Sequence, residues 1–557
     1  MKITFKHEIK PQDNLTNKQI VNLILKSRHI KNLDKFLNPP SPLTLSLFDF
    51  GSYKKSFEKV LKILKSIKEK NQMIVVYTDY DADGITGGAI LWETLYLLGF
   101  KVMPYVPHRK LEGYGFSKTG IDNVKREFNP ALIISVDHGI TKVEEIKYAT
   151  SLGIKIIVTD HHLKGDKTPG ASEAIFHIPA LSGSGVAYYF AKEIFDHYAK
   201  TAEVNAVLTN NFKTDYLALA TIGTIADLVP LVGPSRSLVK YGLETFSKVK
   251  RFGIKHILKQ ADIEGKKITP YEVGFMIAPR INAIGRLSHA IDALRLLCTN
   301  DEKKAYDLAH KIGNVNVERQ ELVEKSVAEA HLRLKASAGK QKKLSKIIIL
   351  VSDHWHEGII GLIASKIAEE FYRPTLVLTK TEAGYKGSAR SIPSFHVTEF
   401  LRSLKKNLVD VGGHKQAAGF TLEKKQLDEF TKNAQRLAEK LIKDKDLDRR
   451  IEADLKIPLT KISLNLVKLL EALEPFGIGN PKPTFYSEGI LTGAQLLGKT
   501  QKHLKLFVDG LELIAFNQAG KFKELSRGQK INVVYNLEID RWGGREKLKG
   551  KLNHIIF

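Results

Sequence analysis

The first half of the chain alternates between segments of helical spacing and short apolar runs. From Phe57, "FEKVLKILKSIKEK" places apolar residues at helical spacing, as do "GAILWETLYLLG" and "VEEIKYATSLG" further on. The intervening runs "MIVVYT", "ALIISVD" and "IKIIVTD" are rich in β-branched residues and too short for helices. Because these runs are continuously apolar, both faces of each strand are expected to be covered. The pattern therefore predicts a parallel sheet in a doubly wound α/β domain.

The second half of the chain changes its pattern twice. From residue 301, "DEKKAYDLAHKIGNVNVERQELVEKSVAEAHLRL" keeps helical spacing throughout, which predicts a long helix that connects two domains rather than a packed core helix. The next stretch, "KASAGKQKKLSK", is expected to be an exposed linker. "KIIILVSD", "GIIGLIASKIAEEF" and "TLVLTK" then predict a second, smaller α/β unit. From about Ile451, short alternating strands with Gly turns favour a small β-barrel.

The chain is therefore expected to contain several domains, because its 557 residues are too many for one hydrophobic core. Residues 1–50, with the turn-rich "LNPPSPLT", are predicted to be an irregular or helical lead-in. The predicted segments after it are residues 51–300 for the first α/β domain, 301–345 for the connecting helix and linker, 346–450 for the second α/β unit and 451–557 for the barrel.

The charge of the chain favours a polyanionic partner. Its 86 Lys and Arg residues outnumber its 61 Asp and Glu residues, giving a net charge of +25 and a pI near 9.6, which favours nucleic acid over a membrane surface. No apolar run is long enough to span a membrane, and "MKITFKHEIKPQDN" lacks the apolar region of a secretory signal. The single cysteine, Cys298, excludes an intramolecular disulfide and favours a reducing, cytoplasmic location.

Acidic and imidazole side chains follow each predicted strand of the first domain. They are Asp79, Asp81 and Asp83 after the first strand, Asp137 and His138 after the second, Asp160, His161 and His162 after the third, and Asp227 in "GTIADLVPL". A single aspartate at the end of a strand is usually a helix cap. Four such groups, all placed to converge on the carboxyl edge of one sheet, favour a binding site instead.

The spacing of the first group predicts how its carboxylates meet. In an extended segment, alternate residues point the same way, so Asp79, Asp81 and Asp83 are expected to converge, and Gly84 to let the chain turn into the next helix. Three close carboxylates repel one another unless a cation lies among them. Carboxylate oxygens mixed with imidazoles suit Mn²⁺ or Mg²⁺, and the number of carboxylates indicates two ions, which suits phosphoester hydrolysis.

The order and spacing of these motifs resemble those of a known family. "DYDADG", "VDHG", "VTDHH" and "ADLVPL" resemble the four motifs of the DHH phosphoesterase superfamily, and "GSARS" and "GGHKQAAGF" resemble its companion DHHA1 domain, a substrate-binding module. "EGYGFS", "APRINAIGRL" and "PFGIGNPKPTF" narrow the resemblance to bacterial single-strand-specific 5′-to-3′ DNA exonucleases. The resemblance runs from about residue 45 to the C-terminal barrel, which it implies to be an OB-like fold.

The resemblance also implies roles for individual residues. The implied metal ligands are Asp79, Asp81, Asp83, Asp137, His161 and Asp227. The implied catalytic residues are Asp81, Asp83, Asp137, His161, His162 and Asp227, with His162 orienting the nucleophile or a phosphate oxygen. Two positions depart from the family pattern. Tyr77 stands where many relatives have a ligand histidine, so one metal is expected to be held more loosely. His138 stands where relatives often have Cys or Asn, and it is expected to support the ligands or to be merely tolerated.

Substrate contacts are implied in three regions. Arg109, Ser388 and Arg390 are expected to form a pocket for the 5′-phosphate, because Arg binds phosphate bidentately. Arg280 and Asn282 are implied to contact the strand near the scissile bond, and His414 to approach a phosphate from a Gly-rich turn. In the OB-like domain, the candidates for base stacking and backbone contacts are Phe507, Phe516, Tyr535, Trp542, Lys505, Arg541 and Arg545.

The resemblance implies a metal-dependent exonuclease that trims single-stranded DNA from its 5′ end to mononucleotides in DNA repair and recombination. The alternative is a phosphodiesterase of short oligonucleotides or cyclic dinucleotides, and a non-catalytic strand binder on the same fold is disfavoured because the ligand set is intact. Single-stranded DNA is the expected partner, together with a single-strand-binding protein and a RecQ-type helicase. A monomer without membrane attachment is expected.

Overall fold

The computed structural model describes residues 2–28, 30, 32–198, 201–341 and 344–557. They form two compact units, a larger one that consists chiefly of residues 4–285, 289–312 and 452–557, and a smaller one that consists chiefly of residues 313–451. Among the helices of the described residues, none has both the length and the apolar character needed to cross a membrane.

The larger unit is built around the predicted parallel sheet. Its strands are β2 (Ile74–Thr78), β3 (Val102–Tyr105), β4 (Leu132–Val136), β5 (Lys155–Asp160) and β6 (Ala174–His177), which follow a lead-in strand β1 (Lys2–Glu8). The five strands of this sheet run in the order β3-β2-β4-β5-β6, and every neighbouring pair is parallel. All residues of β2 and β4 are buried, which confirms that continuous apolar runs mark strands covered on both faces. The sequence pattern did not reveal β6.

Helices make up most of the remaining chain up to residue 341. They are α1 (Asn17–Lys26), α2 (Leu33–Leu37), α3 (Lys54–Glu69), α4 (Ala82–Leu97), α5 (Lys118–Phe128), α6 (Val143–Ser151), α7 (Gly183–Tyr198), α8 (Ala202–Lys213), α9 (Asp215–Ala226), α10 (Gly233–Thr245), α11 (Phe252–Gln260), α12 (Pro270–Glu272), a π-helical turn (Val273–Ile277), α13 (Ala278–Leu287), α14 (Ile291–Cys298) and α15 (Glu302–Gln341). Some of them, such as α4, α6 and α7, cover the parallel sheet. The mostly apolar helices α4, α7 and α9 pack on one another behind the carboxyl edge of the sheet. They place the start of α4, the start of α7 and the end of α9 close together.

The long helix α15 differs from the prediction in two ways. Its last part, residues 335–341, is helical although this stretch was predicted to be an exposed linker; Lys342 and Lys343 lie outside the described residues. Val323 and Ala330 of α15 are buried in a core with Ile363 and Val377, so its second half packs in the smaller unit rather than only connecting domains. Small and β-branched residues at helical spacing in this part of α15 carry that contact.

The smaller unit is a five-stranded mixed sheet with helices. Its elements are β7 (Ile348–Ser352), α16 (Ile360–Phe371), β8 (Thr375–Thr381), β9 (Gly384–Arg390), α17 (Val397–Arg402), β10 (Asp410–His414), β11 (Ala417–Leu422) and α18 (Leu427–Leu441). The strand order is β10-β11-β9-β8-β7, with β7 and β8 parallel and the remaining pairs antiparallel. This arrangement confirms the predicted second α/β unit.

The C-terminal strands close into a near-barrel. The elements are β12 (Arg450–Lys456), α19 (Leu464–Glu471), β13 (Phe485–Leu497), β14 (His503–Val508), β15 (Leu511–Ala515), β16 (Lys530–Asp540) and β17 (Lys547–Ile556). The ring β13-β14-β15-β17-β16 closes because β16 also pairs with β13, and β12 lies alongside β13. This closure confirms the predicted OB-like barrel.

The first residues of the chain join this barrel, which the prediction of an irregular or helical lead-in missed. Strand β1 pairs with β12 at the edge of the barrel sheet, and the backbone N–H of Ile9 donates to the carbonyl of Lys456 at 2.8 Å. Ile20 and Ile24 of α1 are buried in the same core as Leu466 of α19. Pairing between distant segments leaves no mark in the local sequence pattern, so only the structure shows that the two ends of the chain pack together.

Candidate metal centre

The "DYDADG" motif forms the turn from β2 into α4. Asp81 is the N-cap of α4, and its Oδ1 accepts hydrogen bonds from the backbone N–H groups of Asp83 at 3.0 Å and Gly84 at 3.1 Å. Asp83 already lies in the first helical turn, so the predicted alternation along an extended segment is wrong. The three carboxylates meet because the chain turns between them. The alternation expected of an extended strand fails here because Asp81 caps a helix that begins at Ala82, one residue before Asp83.

Gly84 serves this turn in a different way from the predicted one. It lies inside α4 with helical backbone angles, so it does not provide a left-handed turn. A Cβ at this position would instead lie 2.7 Å from both the Cβ and the carbonyl oxygen of Asp79. Only glycine permits this close approach of the helix to the end of the strand, which keeps Asp79 beside Asp81.

Asp83 is held from the opposite side by the start of α7. Its Oδ2 accepts a hydrogen bond from the backbone N–H of Gly183 at 2.6 Å, and its Oδ1 accepts one from that of Ser184 at 2.9 Å. The carboxylate is almost fully buried and faces the positive end of the helix dipole. Two donors fix the plane of the carboxylate, so its orientation does not depend on a bound ion.

Residues that follow β4, β5 and α9 complete the cluster. The His161 Nε2 atom lies 3.1 Å from Oδ1 of Asp137, 3.4 Å from Oδ2 of Asp227 and 3.8 Å from Oδ2 of Asp83. Asp137 adopts a left-handed backbone conformation with φ of 68° directly after β4. Because β4 and β5 are parallel neighbours, their carboxyl ends deliver Asp137 and His161 to the same place.

The side chains form three overlapping groups that fit metal ions. Within each group, ligand atoms lie within 4.8 Å of one another. The groups are Asp79, Asp81 and Asp137; Asp83, His161 and Asp227; and Asp137, His161 and His162. Oδ1 of Asp79, Oδ1 of Asp137 and Nε2 of His161 are buried and have no hydrogen-bond partner among the described residues. Buried acceptors without donors are costly, and oxygen and imidazole ligands of this kind suit Mn²⁺ or Mg²⁺.

The electrostatics of the cluster also favour bound cations. Burial raises the pKa values of Asp79 and Asp137 well above the usual range, and the charges of neighbouring aspartates raise them further. Burial, followed by the charges of Asp83 and Asp81, raises the pKa of Asp227 to about 8. Burial lowers the pKa of His161, so its imidazole is neutral near pH 7, the form that binds metals. A divalent cation would remove the repulsion that raises the carboxyl pKa values.

His162 and Asp160 form a charged pair beside the cluster. Burial by itself would lower the pKa of His162, but its hydrogen bond to Asp160 and the charge of that carboxylate outweigh burial and raise the pKa to about 9. The two side chains are 2.9 Å apart between Nδ1 and Oδ1, and Oδ2 of Asp160 accepts from the backbone N–H of Ile140 at 2.8 Å. Nε2 of His162 lies 3.2 Å from the hydroxyl of Tyr114. His162, although it belongs to the third ligand group, is therefore an imidazolium near neutral pH when no cation is bound.

The two departures from the family pattern lie behind the cluster, outside the three ligand groups. Tyr77 is fully buried among core residues that include Phe116, and its hydroxyl donates to the carbonyl of Gly115 at 3.3 Å. His138 is buried with Nε2 3.0 Å from the carbonyl oxygen of Tyr77, and its ring lies 4.6 Å from that of Phe116. Both side chains pack under the loop that carries Tyr114. The prediction of a loosely held metal remains untested.

Two of the predicted substrate residues lie near the cluster. The guanidinium of Arg109 lies 5.1 Å from the ring centre of Tyr80, which packs edge-on against Tyr114. Oδ1 of Asn282 accepts a hydrogen bond from the backbone N–H of Ala82 at 2.8 Å, at the start of α4. Arg280, two residues before Asn282, donates to the main-chain carbonyls of Met276 and Gln260.

The other three predicted substrate residues belong to the smaller unit, whereas the acidic cluster belongs to the larger one. Ser388 and Arg390 lie on β9, where Nη1 of Arg390 donates to Oγ of Ser388 at 3.1 Å. His414 is an exposed residue at the end of strand β10, whereas the sequence predicted it to lie in a Gly-rich turn. The pairing of β10 with β11 extends as far as His414, which lies opposite Ala417. Gly413 in this strand has a positive φ of 144°.

In the barrel, the predicted base-stacking residues differ in whether they are buried or exposed. Tyr535 is fully buried and its hydroxyl bonds that of Ser487 at 2.8 Å, so the prediction of a stacking role for it is wrong. Phe507 and the half-exposed Phe516 lie on the outer side, each within cation–π distance of a lysine, Lys505 and Lys551 respectively. Arg541 pairs with Glu471, Arg545 is exposed, and the Trp542 side chain lies outside the described part of the chain.

Some residues of the site were not assigned a role from the sequence. Tyr114 belongs to the quoted "EGYGFS", and Asp160 to "VTDHH", but a supporting role of each depends on its partner in space. The contacts of Gly183 and Ser184 with Asp83 are made by backbone N–H groups, so the side chains of these two residues do not reveal them in the sequence. The run "LSGSG" before the apolar stretch of α7 is the one clue, because Ser and Gly are frequent at helix starts.

Comparison with known proteins identifies three matching families along the chain. Residues 73–224 match the N-terminal domain of the DHH family, residues 344–440 the DHHA1 domain and residues 453–554 the RecJ OB domain. Single-stranded-DNA-specific exonuclease RecJ of Thermus thermophilus is 32% identical over 88% of this chain and 69% of its own length. RecJ of Escherichia coli is 30% identical over 89% of this chain and 90% of its own length.

RecJ of Bacillus subtilis is 33% identical over 88% of this chain, and the chain spans 62% of the length of that relative. Among solved structures, that of Thermus thermophilus RecJ in complex with Mn²⁺ has a TM-score of 0.81 and 27% identity, and the match covers 100% of this chain and 80% of that chain. A structure of exonuclease RecJ bound to manganese has a TM-score of 0.60 and 32% identity, covering 72% of this chain and 97% of that chain.

Proposed function

Because the chain belongs to the RecJ family of single-stranded-DNA-specific exonucleases, we propose that it hydrolyses single-stranded DNA from the 5′ end with two divalent cations, Mn²⁺ or Mg²⁺. The observation that carries this proposal is the set of overlapping ligand groups with buried, unpartnered ligand atoms. Crystals of Thermus thermophilus RecJ contain Mn²⁺ or Mg²⁺, which supports this choice of ions. The expected products are 5′-mononucleotides, and the expected setting is DNA repair and recombination.

Each residue of the cluster has a defined task in this proposal. One ion would be held by Asp83, His161 and Asp227, and the other by Asp79, Asp81 and Asp137. When bound, two such ions activate a water molecule and stabilise the charge on the attacking and leaving oxygens of a phosphodiester. The N–H donors of α7 keep Asp83 in position, and the neutral His161 presents a free Nε2. The imidazolium of His162, oriented by Asp160, stabilises negative charge on the phosphate.

The direction of degradation depends on recognition of the strand end. We assign the 5′-phosphate to Arg109, Ser388 and Arg390, since a guanidinium binds a terminal phosphate with two hydrogen bonds. Arg280 and Asn282 contact the strand close to the scissile bond, and His414 a phosphate. Arg280 supports this assignment, because its half-buried guanidinium lies two residues before Asn282 and is held in place by hydrogen bonds to the carbonyls of Met276 and Gln260. Phe507 and Phe516, with Lys505 and Lys551, offer a surface for further nucleotides.

The remaining parts of the proposal concern alternatives and partners. A phosphodiesterase of short oligonucleotides or cyclic dinucleotides would not need the barrel, which therefore favours long strands. We propose that the protein acts as a monomer. A single-strand-binding protein and a RecQ-type helicase are the proposed partners, because an exonuclease specific for unpaired strands needs duplex DNA to be opened first.

The test uses single strands labelled at either end, with and without a 5′-phosphate, in parallel with dinucleotides. We expect Mn²⁺-dependent release of mononucleotides from the 5′ end, and faster degradation of long strands than of dinucleotides. Replacement of Arg109 or Arg390 by Ala is expected to weaken the preference for the 5′-phosphate more than the maximal rate. Release from the 3′ end would refute the assigned direction, and a preference for dinucleotides would favour the alternative.

A further inference from the structure

Three buried hydroxyl groups lie close together beneath the metal centre. They belong to Ser182, directly before α7, to Ser184 in the first turn of α7 and to Thr224 in the last turn of α9, and all three residues are fully buried. Oγ of Ser182 lies 2.9 Å from Oγ of Ser184 and 3.0 Å from Oγ1 of Thr224. These residues therefore form a polar contact between two otherwise mostly apolar helices.

The hydrogen bonds of these hydroxyls run in one direction. The hydroxyl of Thr224 donates to the carbonyl of Ala220 at 2.7 Å, so its oxygen is left to accept from the hydroxyl of Ser182. The oxygen of Ser182 in turn accepts from the backbone N–H of Gly185 at 3.1 Å. A continuous hydroxyl link thus joins the backbone of α7, through Ser182 and Thr224, to the backbone of α9, and each buried polar group in it has a partner.

Each end of the hydroxyl link holds one carboxylate of the same ligand group. In α7, the backbone N–H of Ser184 donates to Oδ1 of Asp83. In α9, Asp227 follows Thr224 by three residues, and its backbone N–H donates to the carbonyl of Gly223 at 2.9 Å. The orientation of Asp83 therefore depends on α7 and the placement of Asp227 on α9, and the hydroxyl link fixes one helix relative to the other.

The two helices also approach closely at this point. A Cβ at Gly223 would lie 2.1 Å from Oγ of Ser184 and 2.3 Å from Oδ1 of Asp83, so only glycine leaves room for α9 against this carboxylate. Hydrogen bonds hold only within a narrow range of distances and angles. The hydroxyl link therefore sets the position of α9 against α7 more closely than apolar packing by itself would.

We propose that Ser182 and Thr224 are positioning residues for one of the two metal ions. Their hydroxyls keep Asp83 and Asp227 at the separation required by the ion that these carboxylates and His161 would hold. Loss of the hydroxyl link weakens the binding of that ion and spares the other, whose three aspartates follow β2 and β4. This inference rests on the proposed function, because it concerns one of the two ions in that proposal.

The first test measures the affinity for each Mn²⁺ ion by titration calorimetry, starting from the metal-free protein. In Thr224→Val, which keeps the branched side chain without its hydroxyl, we expect the affinity for one ion to fall about tenfold or more and that for the other to stay within about threefold. Ser182→Ala, which removes the central hydroxyl, should act in the same way. Thr224→Ser, which keeps the hydroxyl, should bind both ions as the wild type does.

The matched control is Thr221→Val, about one turn earlier in α9. Thr221 is also fully buried, and its hydroxyl lies 2.8 Å from the carbonyl of Leu217 and 3.2 Å from that of Leu238 in α10, rather than next to α7. We expect Thr221→Val and Thr224→Val to lower Tm by similar amounts, but only Thr224→Val to change a Mn²⁺ affinity. A merely structural role of Thr224 would make the two variants alike in both measurements.

The second test observes the bound ions by electron paramagnetic resonance. Two Mn²⁺ ions a few ångströms apart are magnetically coupled, and their spectrum differs from that of a single ion. At the Mn²⁺ concentration that just saturates the wild type, we expect the coupled spectrum in the wild type, Thr221→Val and Thr224→Ser, and that of a single ion in Thr224→Val and Ser182→Ala. A Mn²⁺ concentration about tenfold higher should restore the coupled spectrum, because every ligand is still present.

Three results would overturn the inference. They are unchanged Mn²⁺ affinities in both Thr224→Val and Ser182→Ala, an equal fall of the two affinities in these variants, and a selective fall in Thr221→Val as well. If Ser182→Ala does not fold, Thr224→Val and its rescue by Thr224→Ser decide the question. A wild-type protein that binds fewer than two Mn²⁺ ions would contradict the proposed function itself, and the first titration shows this before any variant is made.

Discussion

Binding of divalent ions is expected to compete with protons at Asp227. The pKa of this carboxyl is raised to about 8 by burial and by the charges of Asp83 and Asp81. At pH 7 such a group is about nine-tenths protonated, so an ion that binds there must displace nearly one proton. The apparent affinity for Mn²⁺ should therefore rise about tenfold per pH unit up to about pH 8 and then level off. The raised pKa values of Asp79 and Asp137 make the rise steeper.

The same pKa shift affects the stability of the protein without metal. The folded pKa of Asp227 is higher than its value of 3.8 in the unfolded chain, so this group favours the folded state below about pH 4. That contribution is lost as the pH rises through about 8. Four pKa units correspond to a change on the order of 5 kcal/mol in the free energy of unfolding. Mn²⁺ should consequently raise Tm more at pH 8 than at pH 6.

Titration calorimetry of Mn²⁺ binding in buffers of different ionisation enthalpy measures the released protons directly, and thermal unfolding measures the shift in Tm. Asp227→Asn is expected to reduce proton release by about one at pH 7. The matched control is Asp262→Asn, which neutralises a fully exposed carboxyl and should leave proton release unchanged. An affinity for Mn²⁺ that is the same at pH 6 and pH 8, without proton release, would refute this account of the cluster.

Substitutions at three positions test separate features of the structure. Asp81→Asn keeps the cap of α4 but loses the negative charge, whereas Asp81→Ala loses the cap and the charge. Each variant should abolish Mn²⁺-dependent hydrolysis. Only Asp81→Ala should lower the free energy of unfolding, by about 1 kcal/mol, in denaturant titrations. Gly84→Ala should displace Asp79, because its Cβ would lie 2.7 Å from that residue, and a Mn²⁺ affinity equal to wild type would contradict this. Arg236→Met should lower the free energy of unfolding by roughly 3 kcal/mol or more, since the fully buried guanidinium donates to four main-chain carbonyls, including that of Phe36.

The parts of the fold that follow from local patterns were predictable. Continuous apolar runs identified β2, β4 and β5, and the sheet order placed the acidic residues after them on one edge. Features that depend on contacts between distant segments were not predictable. Strand β1 contains polar and apolar residues in an ordinary mixture, and its pairing with β12 joins residues more than four hundred positions apart. The long helix α15 likewise has the same pattern whether its apolar face is covered by another domain or not.

At the metal centre, the identity of the ligand side chains was predictable from the sequence, but the backbone contacts that orient them were not. Carboxylates and imidazoles are visible in the sequence, and their positions after parallel strands suffice to predict that they meet. Their orientation depends on backbone donors, namely the N–H groups that Asp81 and Asp83 accept from. Every residue except proline has such a donor, so no residue type marks the four that matter. The capping hydrogen bonds of Asp81 and the hydrogen bonds from α7 to Asp83 hold these carboxylates in place before any ion binds. The folded chain therefore contains the repulsion among the carboxylates already. Bound cations relieve this repulsion, but they are not needed to bring the carboxylates together.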